Sequence, residues 1–460
     1  MADNNTYGGS SDGGGVNDDV AFNISQDDAS SRDLGIGDDV VEISADDSVE
    51  QVRLTFTSAE VGNGVATDSN TLANQDGGLA VRVQAEDGSG ALVGPVSRFD
   101  DEGITFESDG TFTYDVRDLV SGVERGAFFD TVQLGTLGAD LISERFSKDS
   151  YYINGGMGDD RIIGGTRNDF LVGGAGNDML SDGNGNDSFI GGGGNDEIFG
   201  GAGNDTAIVN LALDGSDATD LGKGDDIVNV GAPATATQIR LTFTSIEVGN
   251  GVASDSNTML NQDGGLAVRL QAEDGSDNVT GLVSRYDDEG ISFVSTTPGV
   301  TFDVRDLVSG VQRGGLFNVV ELGTVDRDRF NESGESDAYY INAGMGNDKL
   351  IGGLNTDFLV GGIGADRING RQGNDSLLGG ADADVFVFGG QTGTDQILDF
   401  VSGTDKIDLS AFDIDFGDVQ TSAFGTETLL SVNTDADIAF EFQVRLINGA
   451  TPVEADFIFA

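Results

Sequence analysis

A nine-residue repeat runs without interruption from Gly155 to Ile208 and constrains the fold more than any other feature of the chain. Its six units read GGMGDDRII, GGTRNDFLV, GGAGNDMLS, DGNGNDSFI, GGGGNDEIF and GGAGNDTAI. Each unit places Gly or a near substitute at its first two positions, Asp at the sixth and an apolar residue at the eighth. A flexible Gly-rich linker would not keep an apolar residue at every ninth position.

The spacing of the unit predicts a parallel β-roll. Glycine permits a tight turn with positive φ, where a Cβ would clash. The three residues after Asp then form a short strand whose middle member, such as Ile162, Leu171 or Leu180, points inward. The turns of successive units would stack along an edge and leave a file of carboxylates and backbone carbonyls. These are hard oxygen ligands of the kind of which Ca²⁺ takes roughly six to eight.

A second run of five units extends from Ala343 to Val387 and reads AGMGNDKLI, GGLNTDFLV, GGIGADRIN, GRQGNDSLL and GGADADVFV. In both runs the pattern G-G-x-G-x-D-x-U-x resembles that of the calcium-binding RTX (repeats-in-toxin) family. The resemblance implies Ca²⁺ ions held by carbonyls and the Asp of one turn, with the shell completed by a neighbouring turn. The implied ligands are the sixth-position residues Asp160, Asp169, Asp178, Asp187, Asp196, Asp205, Asp348, Asp357, Asp366, Asp375 and Asp384.

Some turns depart from the pattern or stand alone. The second unit of each run has Arg167 or Asn355 in place of Gly at position four, and Arg tolerates left-handed φ poorly. Three isolated motifs, GGVNDD, GIGDD and GKGDD, add Asp19, Asp39 and Asp226 as candidate ligands. These three can bind Ca²⁺ only if another turn packs beside them.

The rest of the chain is organised as a duplication. The sequence RLTFTS that begins at Arg53 returns at Arg240, and both copies continue with apolar alternation between Gly-, Asn- and Asp-rich turns. This alternation predicts an all-β fold with an antiparallel sandwich or jelly-roll-like domain before each roll. We therefore divide the chain into an N-terminal segment at 1–32, a β-domain at 33–135, a roll at 136–219, a second β-domain at 220–323, a second roll at 324–400 and a C-terminal region at 401–460.

Charge and composition exclude several functions. The chain has 80 acidic and 23 basic residues, a net charge of −57, which opposes binding to nucleic acid and to anionic membranes. It has no Cys and no His, so disulfides, Ser-His-Asp triads and H-E-x-x-H zinc sites are excluded. No run reaches transmembrane length, and we expect no membrane insertion.

We expect no enzymatic activity, although one alternative stays open. The acidic runs at 100–102 and 287–289 contain carboxylates that a glycosidase-type acid/base pair would need. A turn or a further calcium ligand set is the favoured interpretation of these runs.

The C-terminal region carries an expected export signal. The segment FGGQTGTDQILDFVSGTDKIDLSAF resembles the one that closes the rolls of RTX proteins exported by type I secretion, and the ending ADFIFA resembles their secretion signal. An ordinary edge strand is the alternative for this ending. The resemblance implies passage through the type I secretion machinery to the extracellular space or cell surface.

The expected role is structural: a secreted protein that binds several Ca²⁺ ions and assembles with copies of itself into a surface layer, filament, sheath or matrix. An adhesin that binds a cell-surface glycan is the alternative, and a carboxylate-dependent glycan enzyme is less favoured. Arginines recur in the duplicated modules, and they pair either with a neighbouring copy or within their own domain; they are Arg98/Arg285, Arg117/Arg305 and Arg125/Arg313.

Overall fold

The protein is all-β in the part that the structure describes. The computed structural model describes residues 19–25, 31–32, 36–46, 49–60, 78–87, 91–118, 128–246, 266–274, 278–288, 290–307, 309–310, 315–389, 393–434 and 440–460. In these ranges no helix has the length and apolar character needed to cross a membrane.

The chain forms two compact units. The first comprises Met1–Val209 with Leu213–Leu221, and the second comprises Asn210–Ala212 with Gly222–Ala460. The six segment boundaries drawn from the sequence remain predictions.

The strands up to the end of the first unit comprise a β-domain followed by a roll. They are β1 (Asp19–Asn23), β2 (Ser31–Arg32), β3 (Ile36–Ser44), β4 (Gln51–Glu60), β5 (Gly78–Glu86), β6 (Leu92–Ser108), β7 (Thr113–Asp118), β8 (Phe128–Phe129), β9 (Thr131–Leu134), β10 (Leu141–Ser143), β11 (Tyr151–Met157), β12 (Arg161–Ile163), β13 (Phe170–Ala175), β14 (Met179–Ser181), β15 (Ser188–Gly193), β16 (Glu197–Phe199), β17 (Thr206–Asn210) and β18 (Ala218–Asp220).

The second unit has a similar order of strands and adds C-terminal strands that extend its roll. Its strands are β19 (Asp226–Gly231), β20 (Gln238–Ile246), β21 (Leu266–Glu273), β22 (Val279–Asp288), β23 (Ile291–Ser295), β24 (Thr301–Asp306), β25 (Leu316–Phe317), β26 (Val319–Leu322), β27 (Arg329–Asn331), β28 (Tyr339–Asn342), β29 (Lys349–Ile351), β30 (Phe358–Ile363), β31 (Arg367–Asn369), β32 (Ser376–Ala381), β33 (Val385–Val387), β34 (Thr394–Ile397), β35 (Lys406–Asp408), β36 (Val419–Phe424), β37 (Glu427–Val432), β38 (Phe442–Leu446) and β39 (Phe457–Ile458). Two short 3₁₀ turns lie at Phe416–Asp418 and Glu454–Asp456.

The β-domains are mixed sheets, which corrects the expectation of purely antiparallel ones. Strands β4, β5 and β6 pair antiparallel, but β7 joins β4 in the parallel sense, and β3 pairs parallel with the second half of β6. The reason lies at Gly103, whose φ of 76° only glycine adopts readily. At Gly103 strand β6 leaves the sheet that it forms with β5 and does not turn back within it. The next strand, β7, therefore need not run antiparallel to β6. In the second unit Gly290, with a φ of 78°, separates β22 from β23 at the same place.

The apolar alternation read from the sequence forms the core of each β-domain. Val52, Leu54 and Phe56 of β4 are fully buried, as are their counterparts Leu241 and Phe243 in β20. The same buried cluster of the first unit continues into roll strands β11, β13 and β15. In the first unit the core of the β-domain therefore includes side chains of these roll strands.

Each β-domain contains an ion cluster whose acidic side chains are buried. The Arg53 guanidinium lies 2.7 Å from a Glu86 oxygen and 3.1 Å from an Asp115 oxygen, and Arg117 lies 3.4 Å from the same Asp115 oxygen. The second unit repeats the cluster with Arg240, Glu273, Asp303 and Arg305. Arg117 and Arg305 therefore pair within their own domain, which is one of the two options given for the repeated arginines. The side chains of the other four lie outside the described part.

Each roll consists of two parallel sheets whose strands alternate along the chain. In the first unit β9, β11, β13 and β15 pair in order on one side, and β10, β12, β14, β16 and β18 pair on the other. Leu171 pairs with Phe189 and Leu180 with Ile198, so one coil contains two nonapeptide units. The eighth-position side chains predicted to point inward are buried in the roll.

The C-terminal region extends both sheets of the second roll. Strand β38 pairs parallel with β34, and β39 pairs parallel with β35. Strands β36, β37 and β38 form an antiparallel meander. The apolar ending at Phe457–Ile458 is therefore an edge strand of the roll, and its role in export remains a prediction.

Candidate metal centre

The turns of the rolls stack so closely that only glycine fits at several positions. A Cβ on Gly176, whose φ is 144°, would lie 1.7 Å from the carbonyl oxygen of Gly158 one coil away. A Cβ on Gly364 would lie 1.4 Å from the carbonyl oxygen of Gly346 in the second roll. Real Cβ atoms cannot approach backbone this closely, so the glycines set the distance between turns.

The sixth-position aspartates form hydrogen-bonded files along the roll edges. Where the preceding coil also has a sixth-position aspartate, the Oδ1 atom accepts the backbone N–H of that aspartate: Asp178 accepts from Asp160 at 2.8 Å, and Asp187 accepts from Asp169 at 2.9 Å. Asp169 and Asp357 instead accept the backbone N–H of Tyr151 and Tyr339. In the second roll Asp366 accepts from Asp348 at 2.8 Å. Each partner lies 18 residues earlier, so successive units belong to opposite edges of the roll.

Five aspartates that the repeat pattern missed extend these files. At the start of the rolls the missed residues are Asp140 and Asp328, whose backbone N–H groups donate to Asp160 and Asp348. At the other end three further missed aspartates accept backbone N–H groups from the last aspartates of the repeats. These three are Asp217, Asp395 and Asp405. Their spacing from the neighbouring file member is 20 or 21 residues. The sequence features that could have revealed these aspartates are the G-x-x-G-x-D string at 135–140 and the GTD strings near 395 and 405.

Position five of the repeat forms a second, exposed file. The side-chain oxygen of Asn177 accepts the backbone N–H of Asn195 at 2.9 Å, and that of Asn186 accepts from Asn204 at 3.0 Å. The frequent Asn at this position was visible in the sequence but received no role. It ties the outer surface of adjacent turns together.

The second carboxylate oxygen of seven sixth-position aspartates is buried without a hydrogen-bond donor. This holds for Oδ2 of seven aspartates whose residues are at most 2% exposed: Asp160, Asp178, Asp187, Asp196, Asp348, Asp366 and Asp375. Around Gly173 the Asp178 Oδ2 atom and the Gly191 carbonyl oxygen both point to one place, 2.4 and 2.5 Å from where a Cβ would stand. Buried anionic oxygens that face carbonyl oxygens fit a bound cation.

Burial also changes the acidity of these groups. It raises the pKa of Asp178 from 3.8 to about 6 and that of Asp160 to about 7. In the second roll it raises the pKa of Asp348 to about 7 and, together with the Asp395 and Asp357 charges, that of Asp375 to about 8. The ionised files therefore need a positive charge beside them.

Two turns differ, and they are the ones with Arg167 and Asn355 at position four. The Asp169 Oδ2 atom accepts the Gly165 N–H at 2.6 Å, and the Asp357 Oδ2 atom accepts the Gly353 N–H at 2.7 Å. These carboxylates are capped by their own turn. The departure from the pattern thus coincides with a different hydrogen-bonding state.

Three of the remaining candidates lie on β-domain strands, and two lie in the files. Asp39 is buried within β3, and Asp226 is buried as the first residue of β19. Asp19 begins β1, with its side chain outside the described part. Asp205 and Asp384 keep their places in the files, where their Oδ1 atoms accept from Asp187 and Asp366.

The described residues of the acidic runs at 100–102 and 287–289 lie in strands and not in a turn, and nothing tests the alternative of a further calcium ligand set. Residues 100–102 belong to strand β6, and residues 287–288 end strand β22. Their side chains lie outside the described part, so the glycosidase-type pair stays an untested alternative.

Sequence comparison assigns the rolls to a family. The RTX calcium-binding nonapeptide repeat matches in four copies, at residues 154–181, 172–207, 340–359 and 360–395. Both rolls contain RTX calcium-binding nonapeptide repeats. The RTX repeats imply Ca²⁺ binding, and the matched segments contain the buried aspartate oxygens described above. No curated protein matches this chain in sequence.

Solved structures similar to this chain include an epimerase subunit and a lipase. The AlgE6R3 subunit of the Azotobacter vinelandii mannuronan C5-epimerase is 28% identical over 30% of this chain and 81% of its own, with a TM-score of 0.19. The extracellular lipase LipA from Serratia marcescens is 19% identical over 69% of this chain and 41% of its own, also with a TM-score of 0.19. Similarity at this level carries no argument about activity or module arrangement.

Proposed function

We propose that this protein is a secreted structural protein whose rolls fold on binding Ca²⁺ and which then associates with copies of itself outside the cell. The observation that carries the proposal is the set of buried aspartate oxygens without donors in both rolls. A buried carboxylate oxygen without a partner costs about 1–3 kcal/mol or more. Several such groups in one roll oppose folding until a cation neutralises them, so metal binding and folding are coupled.

The net charge supports calcium-dependent association. At −57 two copies repel each other at low ionic strength. Bound Ca²⁺ ions remove part of this charge and at the same time complete the fold. Association is therefore expected only at or above the Ca²⁺ concentration at which the rolls fold.

The duplicated modules offer equivalent apolar contact points. Phe128 in β8 is 43% exposed and Leu316 in β25 is 48% exposed, and each lies in a two-residue strand beside a buried phenylalanine. Two similar surfaces in one chain allow contacts that propagate instead of closing. We place the contact between copies here, because Arg117 and Arg305 are paired within their own domains.

Circular dichroism and light scattering test this proposal. β-structure should increase when millimolar Ca²⁺ replaces EGTA, and scattering should rise at or above the same midpoint. Replacing Phe128 and Leu316 with Ser should reduce scattering without lowering β-content. Leu141→Ser is the control, because Leu141 is 71% exposed and its counterpart Arg329 is not apolar. Equal β-content with and without Ca²⁺ would refute coupled folding, and a monomer at saturating Ca²⁺ would refute assembly.

A glycan-binding role is the second candidate, and one groove favours it. A cavity of about 370 Å³ on the first roll is lined by Arg145, Phe146 and Arg161. Phe146 is 88% exposed, and the Arg145 guanidinium lies 5.8 Å from its ring centre. An exposed aromatic ring between arginines suits an acidic saccharide, and the second roll has Ser333 and Gly334 at the positions of Arg145 and Phe146. Binding to a glycan array that Phe146→Ser abolishes would favour this role.

A further inference from the structure

Asp182 distinguishes one turn of the first roll from all other repeat turns. It occupies position one of the fourth unit, where the other units of this run have Gly. The corresponding residue of the second roll is Gly370. A Cβ on Gly164, one coil earlier, would lie 2.0 Å from the Asp182 Oδ2 atom. The Asp182 carboxylate therefore lies against the backbone of the neighbouring turn and not in solvent.

Asp182 brings a third carboxylate to two members of one file. One oxygen from each of Asp169, Asp182 and Asp187 lies within 4.8 Å of the others. Two oxygens bound to one Ca²⁺ at about 2.3–2.6 Å are at most roughly twice that distance apart, so all three can bind a single ion. In the described ranges of the chain this is the one such three-carboxylate group.

A second observation points to a ligand at this place. Asp187 is 1% exposed, its Oδ1 atom accepts the Asp169 N–H, and its Oδ2 atom has no donor. The Asp182 Oδ2 atom is likewise buried without a donor. Three carboxylates therefore lie together, and one oxygen of Asp182 and one of Asp187 lack a donor.

The groove described above borders this position. Asp182 lines it together with Gly164, Gly165 and Thr166 of the neighbouring turn. The groove also contains Arg161, whose guanidinium contacts the Met179 sulfur at 2.8 Å. A cation bound by Asp182 would therefore lie beside this groove.

We propose that Asp169, Asp182 and Asp187 form a three-carboxylate cation site particular to the first roll. This site takes up Ca²⁺ before the other turns of the rolls and starts the folding of the first roll. This inference rests on the calcium-coupled folding proposed above and adds an order of uptake to it. The number of charged ligands is one of the factors that set Ca²⁺ affinity in proteins. The equivalent turn of the second roll offers only Asp357 and Asp375.

Hydrogen exchange of the full chain during a Ca²⁺ titration tests the proposal. Peptides from 155–208 report on the first roll, and peptides from 343–387 report on the second. In the unsubstituted protein the first roll should become protected at about tenfold lower Ca²⁺ than the second. Asp182→Asn preserves the side-chain size and Asp182→Gly restores the residue of the other units; both should raise the midpoint of the first roll about tenfold. The midpoint of the second roll should not change.

Glu197→Gln is the matched control, because it removes one exposed charge from the same roll. It should leave both midpoints unchanged. If both Asp182 variants keep the original midpoint of the first roll, the three-carboxylate site is refuted while calcium-coupled folding stands. If neither roll gains protection at any Ca²⁺ concentration, the proposed function itself fails. A shift of equal size in Glu197→Gln would show a general charge effect and would also overturn the site.

Discussion

Two aspartates of the second roll should respond in opposite directions to the same substitution. Asp357 and Asp366 are each 1% exposed, and burial raises the pKa of each to about 6. Both accept one backbone N–H through Oδ1, from Tyr339 and Asp348 respectively. They differ at Oδ2, which accepts the Gly353 N–H in Asp357 and has no donor in Asp366.

In the metal-free protein Asp366→Asn should stabilise the roll and Asp357→Asn should destabilise it. The amide introduced by Asp366→Asn would keep the Oδ1 acceptor and place a donor near the Gly379 carbonyl, where the buried charge stood. Relief of one unsatisfied group contributes about 1–3 kcal/mol. The amide introduced by Asp357→Asn has one acceptor for two N–H donors, so this variant loses a hydrogen bond to a charged group, about 1.5–3 kcal/mol. The two variants should therefore differ by roughly 3 kcal/mol or more.

Saturating Ca²⁺ should remove the advantage of Asp366→Asn. The variant then lacks one carboxylate ligand, and we expect its Ca²⁺ affinity to fall by about 10- to 100-fold, or roughly 1.4–2.8 kcal/mol. Urea unfolding in EGTA and in millimolar Ca²⁺, with sucrose to favour the folded state, measures both effects. Hydrogen exchange of peptides from 343–389 assigns the change to the second roll. If both variants shift metal-free stability in the same direction, the donor state of Oδ2 does not control these turns.

Three further predictions concern the pKa shifts, the ion clusters and the C-terminal region. In EGTA, β-content should fall as pH rises from about 4 to about 7, because the metal-free folded state binds protons at Asp160 and Asp348 that the unfolded state has lost, and circular dichroism against pH should show this. Arg53→Met should cost about 3–5 kcal/mol in chemical unfolding, since it leaves Glu86 and Asp115 buried without their cation, and Arg53→Lys should cost less. Residues 324–460 fused to a reporter should direct its export through a type I system, whereas 1–32 should not; accumulation of the former fusion inside the cell would contradict the secretion signal.

The nonapeptide allowed the rolls to be predicted because each position answers to a local physical requirement. Gly176 is needed where a Cβ would meet backbone, and Leu171 and Leu180 are needed inside. These constraints recur with the repeat, so the sequence shows them directly. The file members Asp140 and Asp217 were missed because two or three extra residues break the phase while the hydrogen bond survives.

The β-domains were less predictable because their pairings depend on residues far apart in sequence. Alternation identified the buried side of β4, but nothing local reveals that β7 will join β4 in the parallel sense. The turn at Gly103 that permits this looks like many other glycines in a chain with 72 of them. The partner of Arg53 was likewise hidden, since Glu86 and Asp115 lie 33 and 62 residues away.

The 18-residue coil limits how such a protein can change in length. Neighbouring units face opposite edges, and the edges differ, since six-residue strands such as β13 alternate with three-residue strands such as β14. Loss of a single nonapeptide would exchange the two sides for every later unit and misalign the closing strands β38 and β39. Loss or gain of a pair would shorten or lengthen the roll by one strand spacing, about 4.8 Å, and leave both ends matched. Natural length variants should therefore differ by multiples of 18 residues.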